Sequence, residues 1–140
     1  MNTTEDLPLL KIVGVSASGK STLVNALRAR GYNARPVSQE HSNVPGLWRQ
    51  FDRPQILIFL DVSYEKQCAR RPEVGWTPAW YRTELARLHN ARSNADLKID
   101  TSELNPEQVQ EIILIFLTHR RVAHADHPLP PLAATGSSQK

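Results

Sequence analysis

Residues 9–31, LLKIVGVSASGKSTLVNALRARG, decide the reading of this chain. Leu9 to Val13 is a short apolar run, as in a strand buried on both faces, and it opens directly into a glycine-bounded loop. Leu23, Val24 and Leu27 follow at helical spacing, with Arg28 and Arg30 in the last turn and Gly31 placed to stop the helix. Between strand and helix, Gly14-x-x-x-x-Gly19-Lys20-Ser21 fills every fixed position of the G-x-x-x-x-G-K-[ST] pattern. Its chemistry suits a phosphate chain. Successive amides from Val15 to Lys20 can form a concave nest, and the glycines permit the backbone angles and the close approach this needs. The positive end of the helix dipole adds to the field. Lys20 is placed to bridge the outer phosphates, and the Ser21 hydroxyl is placed to ligate Mg²⁺.

Outward from this stretch, strand and helix signals alternate. Asn33 to Val37 is a weak second strand, and Ser38 to Pro54 reads as a long loop punctuated by Pro45, Gly46 and Pro54. Gln55 to Leu60 (QILIFL) is the clearest strand, apolar throughout and therefore expected at the centre of a parallel sheet. Ser63 can cap a helix that runs through Arg71 and is ended by Pro72. Thr77 and Pro78 start another, with Tyr81, Leu85 and Leu88 on one face. Asp96 to Asp100 gives the last strand, and Asn105, Pro106 and Gln108 open a helix whose stripe of Val109, Ile112, Ile113, Phe116 and Leu117 is expected to face the core. Strands alternating with helices imply an α/β fold with a parallel sheet, whose ligands gather at the carboxyl ends of the strands. Gly14, Ser38 to Glu40, Asp61 and Thr101 all follow strands and are expected on one rim.

Composition bounds the rest. The chain has 140 residues, 40% of them hydrophobic, enough for one domain with one core. The expected organisation is an N-terminal tail over 1–7, a domain over 8–118, and a disordered tail over 119–140, where periodicity stops and Pro, Ala and Ser accumulate. No apolar run nears the ~18 residues of a membrane span. A secretory leader is not evident in MNTTEDLP and Cys68 is the single cysteine, so a cytoplasmic location is expected. The net charge of +3 is too small and too dispersed to suggest nucleic acid. Of the 17 basic residues 12 are arginine, whose planar forks suit phosphate oxygens. His124, Asp126 and His127 lie in the expected tail, where a fixed zinc shell is not anticipated. The nearest match to a guanine-recognition element, Leu97 to Asp100, lacks its first polar residue.

Three stretches, GVSASGKST, LDVSYEKQCARRPE (60–73) and ADLKIDTSELNPEQV (95–109), give residues 9–117 a further likeness. The chain resembles the small-molecule and nucleoside-monophosphate kinases of the phosphate-loop class, such as adenylate, shikimate, gluconate and thymidylate kinases. That resemblance implies a three-layer P-loop NTPase fold, a parallel sheet of four to five strands flanked by helices. It also implies an ATP-dependent, Mg²⁺-requiring transfer to a small-molecule acceptor, with a nucleoside or nucleotide in view. The alternative class is a nucleotide-binding regulatory module with little turnover.

The resemblance assigns Gly14, Val15, Ser16, Ala17, Ser18, Gly19, Lys20, Ser21 and Thr22 to the triphosphate. Arg70 and Arg71 become lid arginines, and Thr101 to Leu104 the edge of the base site. Two carboxylates compete to orient the metal. Asp61 ends an apolar run, and Glu40, beside His41, follows the second strand and is preferred as acid or base together with Ser21 as metal ligand. Arg82 is a weaker lid candidate. Trp48 and Arg49 could offer a stacking surface and an anion contact, or Trp48 and Phe51 could close the core under the loop. Trp76 and Trp80 are expected to pack the lid helix. The acceptor region and lid are shorter than in those kinases.

Overall fold

The computed structural model describes residues 6–132. Four strands run parallel: β1 (Leu9–Gly14), β2 (Asn33–Pro36), β3 (Ile56–Asp61) and β4 (Leu97–Asp100). They lie in the order β2-β1-β3-β4. Leu10 pairs with Ile56 and with Ala34, so β1 is flanked on both sides. The helices are α1 (Lys20–Ala29), α2 (Tyr64–Arg70), α3 (Pro78–Asn94) and α4 (Pro106–His119).

Side chains alternate across a pleated strand, so a sheet covered on both faces needs both sets apolar. Leu10, Ile12, Ile56, Ile58 and Leu60 pack with Leu23, Val24 and Leu27 of α1 and Val109, Ile113 and Leu117 of α4. The opposite set, Val13, Val15, Leu57 and Phe59, packs with Leu88 and Ala91 of α3 and with Trp48. Thus β1 and β3 are buried centrally, and helices cover both faces of the sheet. All four strands end on the same rim.

Local chemistry sets the helix starts. The side chains of Ser63 and Thr77 accept the amides of Lys66 and Trp80, and Asn105 and Gln108 exchange bonds as a capping box. The stripe of α4 is narrower than expected, because Ile112 is 39% exposed while Val109, Ile113 and Leu117 are buried. Residues 39–49 of the expected loop form two short 3-10 turns, Gln39–His41 and Leu47–Arg49. Trp48 does close the core, its indole donating to Asn90 Oδ1 at 2.8 Å, so it offers no stacking face. Phe51 does not join it and is 97% exposed. Trp80 is exposed beneath the Arg87 guanidinium, rather than packed inside.

The expected tail boundaries also move. Residues 1–5 and 133–140 lie outside the described residues, but Leu7 forms a small apolar cluster with Ala125 and Leu129. Residues 121–132 are not a disordered tail; they strap across the end of α1. The amides of Ala125 and Leu129 donate to the carbonyls of Gly31 and Arg28, and the Leu132 amide to Asn25 Oδ1. The buried Arg28 answers with a 2.6 Å bond to the Pro130 carbonyl. No short-range pattern signals this strap, because its apolar residues are spaced by proline-rich chain rather than by a helix or strand period.

Gly31 is where the strap meets α1. Its φ is +92°, and a Cβ there would overlap the Ala125 carbonyl oxygen and lie 3.0 Å from the Ala125 nitrogen. Gly31→Ala is expected to lower stability by about 2–3 kcal/mol through backbone strain and displacement of the strap. Chemical denaturation checks this, and an unchanged midpoint contradicts it.

Candidate functional site

The loop between β1 and α1 is a tight structure. The Ser18 amide donates to the Val15 carbonyl at 3.1 Å, while Ala17 and Gly19 take φ of 67° and 97°. A left-handed alanine is disfavoured, so its neighbours must hold it there. Gly14 lies so close to β3 that a Cβ would overlap the Leu60 carbonyl oxygen. Gly19 caps α1 without a side-chain bond, and the first capping bond of the helix runs from the Leu23 amide to the Gly19 carbonyl. The amides of Lys20, Ser21 and Thr22 therefore open the helix with no intrahelical partner, at its positive end. Ser21 and Thr22 are exposed.

Lys20 and Glu40 meet above this loop. Lys20 Nζ lies 2.6 Å from Glu40 Oε2 and donates to the Gly14 carbonyl at 3.0 Å. Their side chains are 13% and 4% exposed. Because β2 adjoins β1, the turn after β2 carries Glu40 to the lysine, and the Arg87 guanidinium donates to the Glu40 carbonyl. Glu40 Oε1 is buried without a partner among the described residues. His41 Nε2 is 3.6 Å from Glu40 Oε2, on an exposed ring.

Asp61 ends β3, on the other side of β1. Its Oδ1 accepts its neighbour's amide, that of Val62, at 3.0 Å. Burial pushes its carboxyl above the ordinary value, against the lowering effects of that amide and Arg92. The adjacent Tyr81 hydroxyl, donating to the Val62 carbonyl, is pushed up to about 12, chiefly by burial and then by Asp61. A raised carboxyl binds its proton more tightly in the folded chain. The contribution of Asp61 to stability therefore falls as pH rises from the ordinary carboxylate value through the raised one. Asp61→Asn keeps the acceptor for Val62 without the charge. Its stability relative to wild type is expected to rise across that window, which thermal unfolding from about pH 3 to about pH 7 measures. A difference that stays flat with pH contradicts it.

Arg70 is the lid candidate that reaches the loop. Its guanidinium donates to the Ala17 carbonyl at 2.8 Å, to Thr101 Oγ1 at 3.2 Å and to the Thr101 carbonyl at 2.6 Å. It thereby steadies the strained Ala17 and ties the loop to the turn after β4. Thr101 is buried, and its hydroxyl donates to the Asp61 carbonyl. Arg71 is not brought in: it pairs with Glu73 two residues on, where the 3-10 turn Pro72–Val74 diverts the chain. Arg82 is exposed on α3, and no hydrogen bond or ion pair among the described residues joins it to the loop. Beside Arg70 and Thr101 opens a cleft of about 270 Å³ with apolar walls from Leu23, Leu104, Pro106 and Val109.

Two residues of the site escape the sequence patterns. Glu84 of α3 is fully buried against the loop, its carboxylate accepting the Ser16 amide at 3.2 Å and the Ser16 hydroxyl at 2.5 Å. Gln67 of α2, also fully buried, donates to Glu84 and to the Ser16 carbonyl. The available signal was a carboxylate set among Tyr81, Leu85 and Leu88 in the apolar face of α3, where an unpaired charge is costly.

The site thus offers amides, an ammonium group and a buried carboxylate around a helix start, next to an apolar cleft. Among the described residues no cluster of three metal-ligating side chains exists, and no helix is long and apolar enough to cross a membrane. No protein-family model matches this chain, and no curated protein does.

Proposed function

We propose that this chain binds Mg·ATP through the Gly14–Thr22 loop and transfers the γ-phosphoryl group to the hydroxyl of a small molecule, with nucleosides and nucleotides the first acceptors to test. The observation that carries this reading is Lys20 Nζ, held over the loop between the Gly14 carbonyl and Glu40 Oε2. An ammonium group beside the helix-start amides of Lys20, Ser21 and Thr22, which have no intrahelical partner, fits a polyphosphate. The cleft beside Arg70 and Thr101, with its apolar walls, suits a planar base.

The residues also fit a magnesium ion. Mg²⁺ needs only one or two protein oxygens beside phosphates and waters, and the unpartnered Glu40 Oε1 and the exposed Ser21 hydroxyl supply them. The bound metal would neutralise charge on the phosphate oxygens. The loop amides and Lys20 would hold the triphosphate, Lys20 turning from Glu40 towards phosphate. Glu40 would then take the proton of the acceptor hydroxyl as its oxygen bonds to the γ-phosphorus, while the bond to the β–γ bridging oxygen breaks and ADP leaves. Arg70, already spanning Ala17 and Thr101, would keep the loop in register during transfer.

Calorimetry with Mg·ATP and Mg·GTP, followed by phosphate transfer to a panel of nucleosides, nucleotides and sugar acids, tests this. Lys20-dependent transfer is expected. Absence of any heat of association removes the reading. Tight binding without transfer replaces it with a regulatory nucleotide-binding module.

A further inference from the structure

A second pocket lies on the β2 side of the sheet, separate from the loop and built around a buried lysine. It has a volume of about 340 Å³ and is bordered by Leu9, Lys11, Arg35, Ser38, Gln50 and Phe51. Lys11 sits inside β1 and is 8% exposed. Its ammonium group has three protons to place, and its one hydrogen bond among the described residues goes to the Gln50 carbonyl at 3.1 Å. Burial pulls the Lys11 ammonium below the ordinary lysine value, and the Asp52 carboxylate partly restores it.

The register makes this lysine harder to explain as structure. Lys11 stands opposite Arg35 on β2, so two cations share adjacent positions on neighbouring strands about 4.8 Å apart. Like charges directly opposite destabilise a sheet. No hydrogen bond or ion pair among the described residues engages the Arg35 guanidinium. Burial first, and then the Arg35 charge, hold the Arg28 guanidinium behind it below its ordinary value, while Asp52 is the carboxylate that acts on Lys11. Phe51, directly after the residue that holds Lys11, is left-handed at φ 67° and 97% exposed. A phenylalanine in that conformation, with its ring in water, is unfavourable on two counts, and strain of this kind gathers at ligand clamps.

We propose that Lys11 and Arg35 form a binding site for a small organic oxyanion, a carboxylate or phosphate ester whose planar apolar group rests on Phe51. One oxyanion satisfies the remaining protons of Lys11, separates the two like charges, and covers the exposed ring. The site stands on its own residues and does not depend on nucleotide binding at the loop.

The test is amide-resolved NMR on the full chain, titrated with phenyl phosphate, and then with benzoate and inorganic phosphate. Shifts are expected at residues 9–11, 35–38 and 47–52, with phenyl phosphate binding more tightly than inorganic phosphate. Benzoate against phenyl phosphate shows which oxyanion the pair prefers. Lys11→Met and Arg35→Gln should each weaken phenyl phosphate by about tenfold or more, the scale of one charge-assisted hydrogen bond. Asp52→Asn should tighten it. Without ligand, Arg35→Gln should melt no lower than wild type, because it relieves the repulsion. If Lys11→Met does not fold, the exposed Arg35 variant still decides. The proposal is overturned by shifts confined to residues 14–22 or absent altogether, by affinities that Arg35→Gln leaves unchanged, or by equal affinity for phenyl and inorganic phosphate.

Discussion

Lys20→Ala is expected to reduce the proposed phosphoryl transfer by about 10²–10³-fold, the scale of removing one preorganised charged donor from developing negative charge. It should also destabilise the protein, because Glu40 is 4% exposed and would be left as a buried carboxylate without its cation. A loss of about 3 kcal/mol is expected, the low end for a buried pair, since Lys20 keeps some contact with water. The two effects separate in the double variant Lys20→Ala/Glu40→Gln, which removes the orphaned charge. Its unfolding midpoint should recover most of the loss, while transfer stays at or below the level of the single variant because the proposed base is also gone. Recovery of activity along with stability would remove both Lys20 and Glu40 from the proposed chemistry and confine the pair to holding the fold.

Glu84→Ala carries the second largest expected effect. Its carboxylate is the acceptor for the Ser16 amide, the Ser16 hydroxyl and the Gln67 amide group, all around a fully buried point. Truncation leaves these donors unpaired at about 1–3 kcal/mol each before water enters, and a net loss of about 3 kcal/mol is expected. Ser16 belongs to the loop, so nucleotide affinity should weaken as well, by about tenfold or more. Glu84→Gln keeps the shape and one acceptor oxygen and should fall between wild type and alanine in both measurements. A Glu84→Ala protein that melts lower but binds Mg·ATP as wild type does would confine Glu84 to packing.

Much of the framework was legible because it is written in local chemistry. The apolar runs of β1 and β3, the caps at Ser63, Thr77 and Asn105, and the Gly14-to-Ser21 spacing each specify an element from neighbouring residues alone. The proximity of Glu40 to Lys20 was also within reach, since it needs only β2 beside β1. What stayed hidden depends on contacts between distant segments. Arg71 and Arg70 are neighbours in one basic pair, and only the direction of the chain at Pro72 sends one to Glu73 and the other to Thr101. Gln67 is a polar residue on a short helix whose burial becomes apparent only when the loop and α3 close over it. Gln39 likewise gathers the Val44 carbonyl and the Trp48 amide, turning an apparent loop into a folded lid over the second core layer.

The strap across α1 links the last described stretch of chain to the helix that starts at the Gly14–Thr22 loop. The amides of Ala125 and Leu129 donate to backbone carbonyls at the far end of that helix. Segments joined in this way open together rather than separately. In native-state hydrogen exchange these two amides should share the protection and the denaturant response of Leu27 and Val24, so the carboxyl-terminal arm belongs to the same cooperative unit as α1.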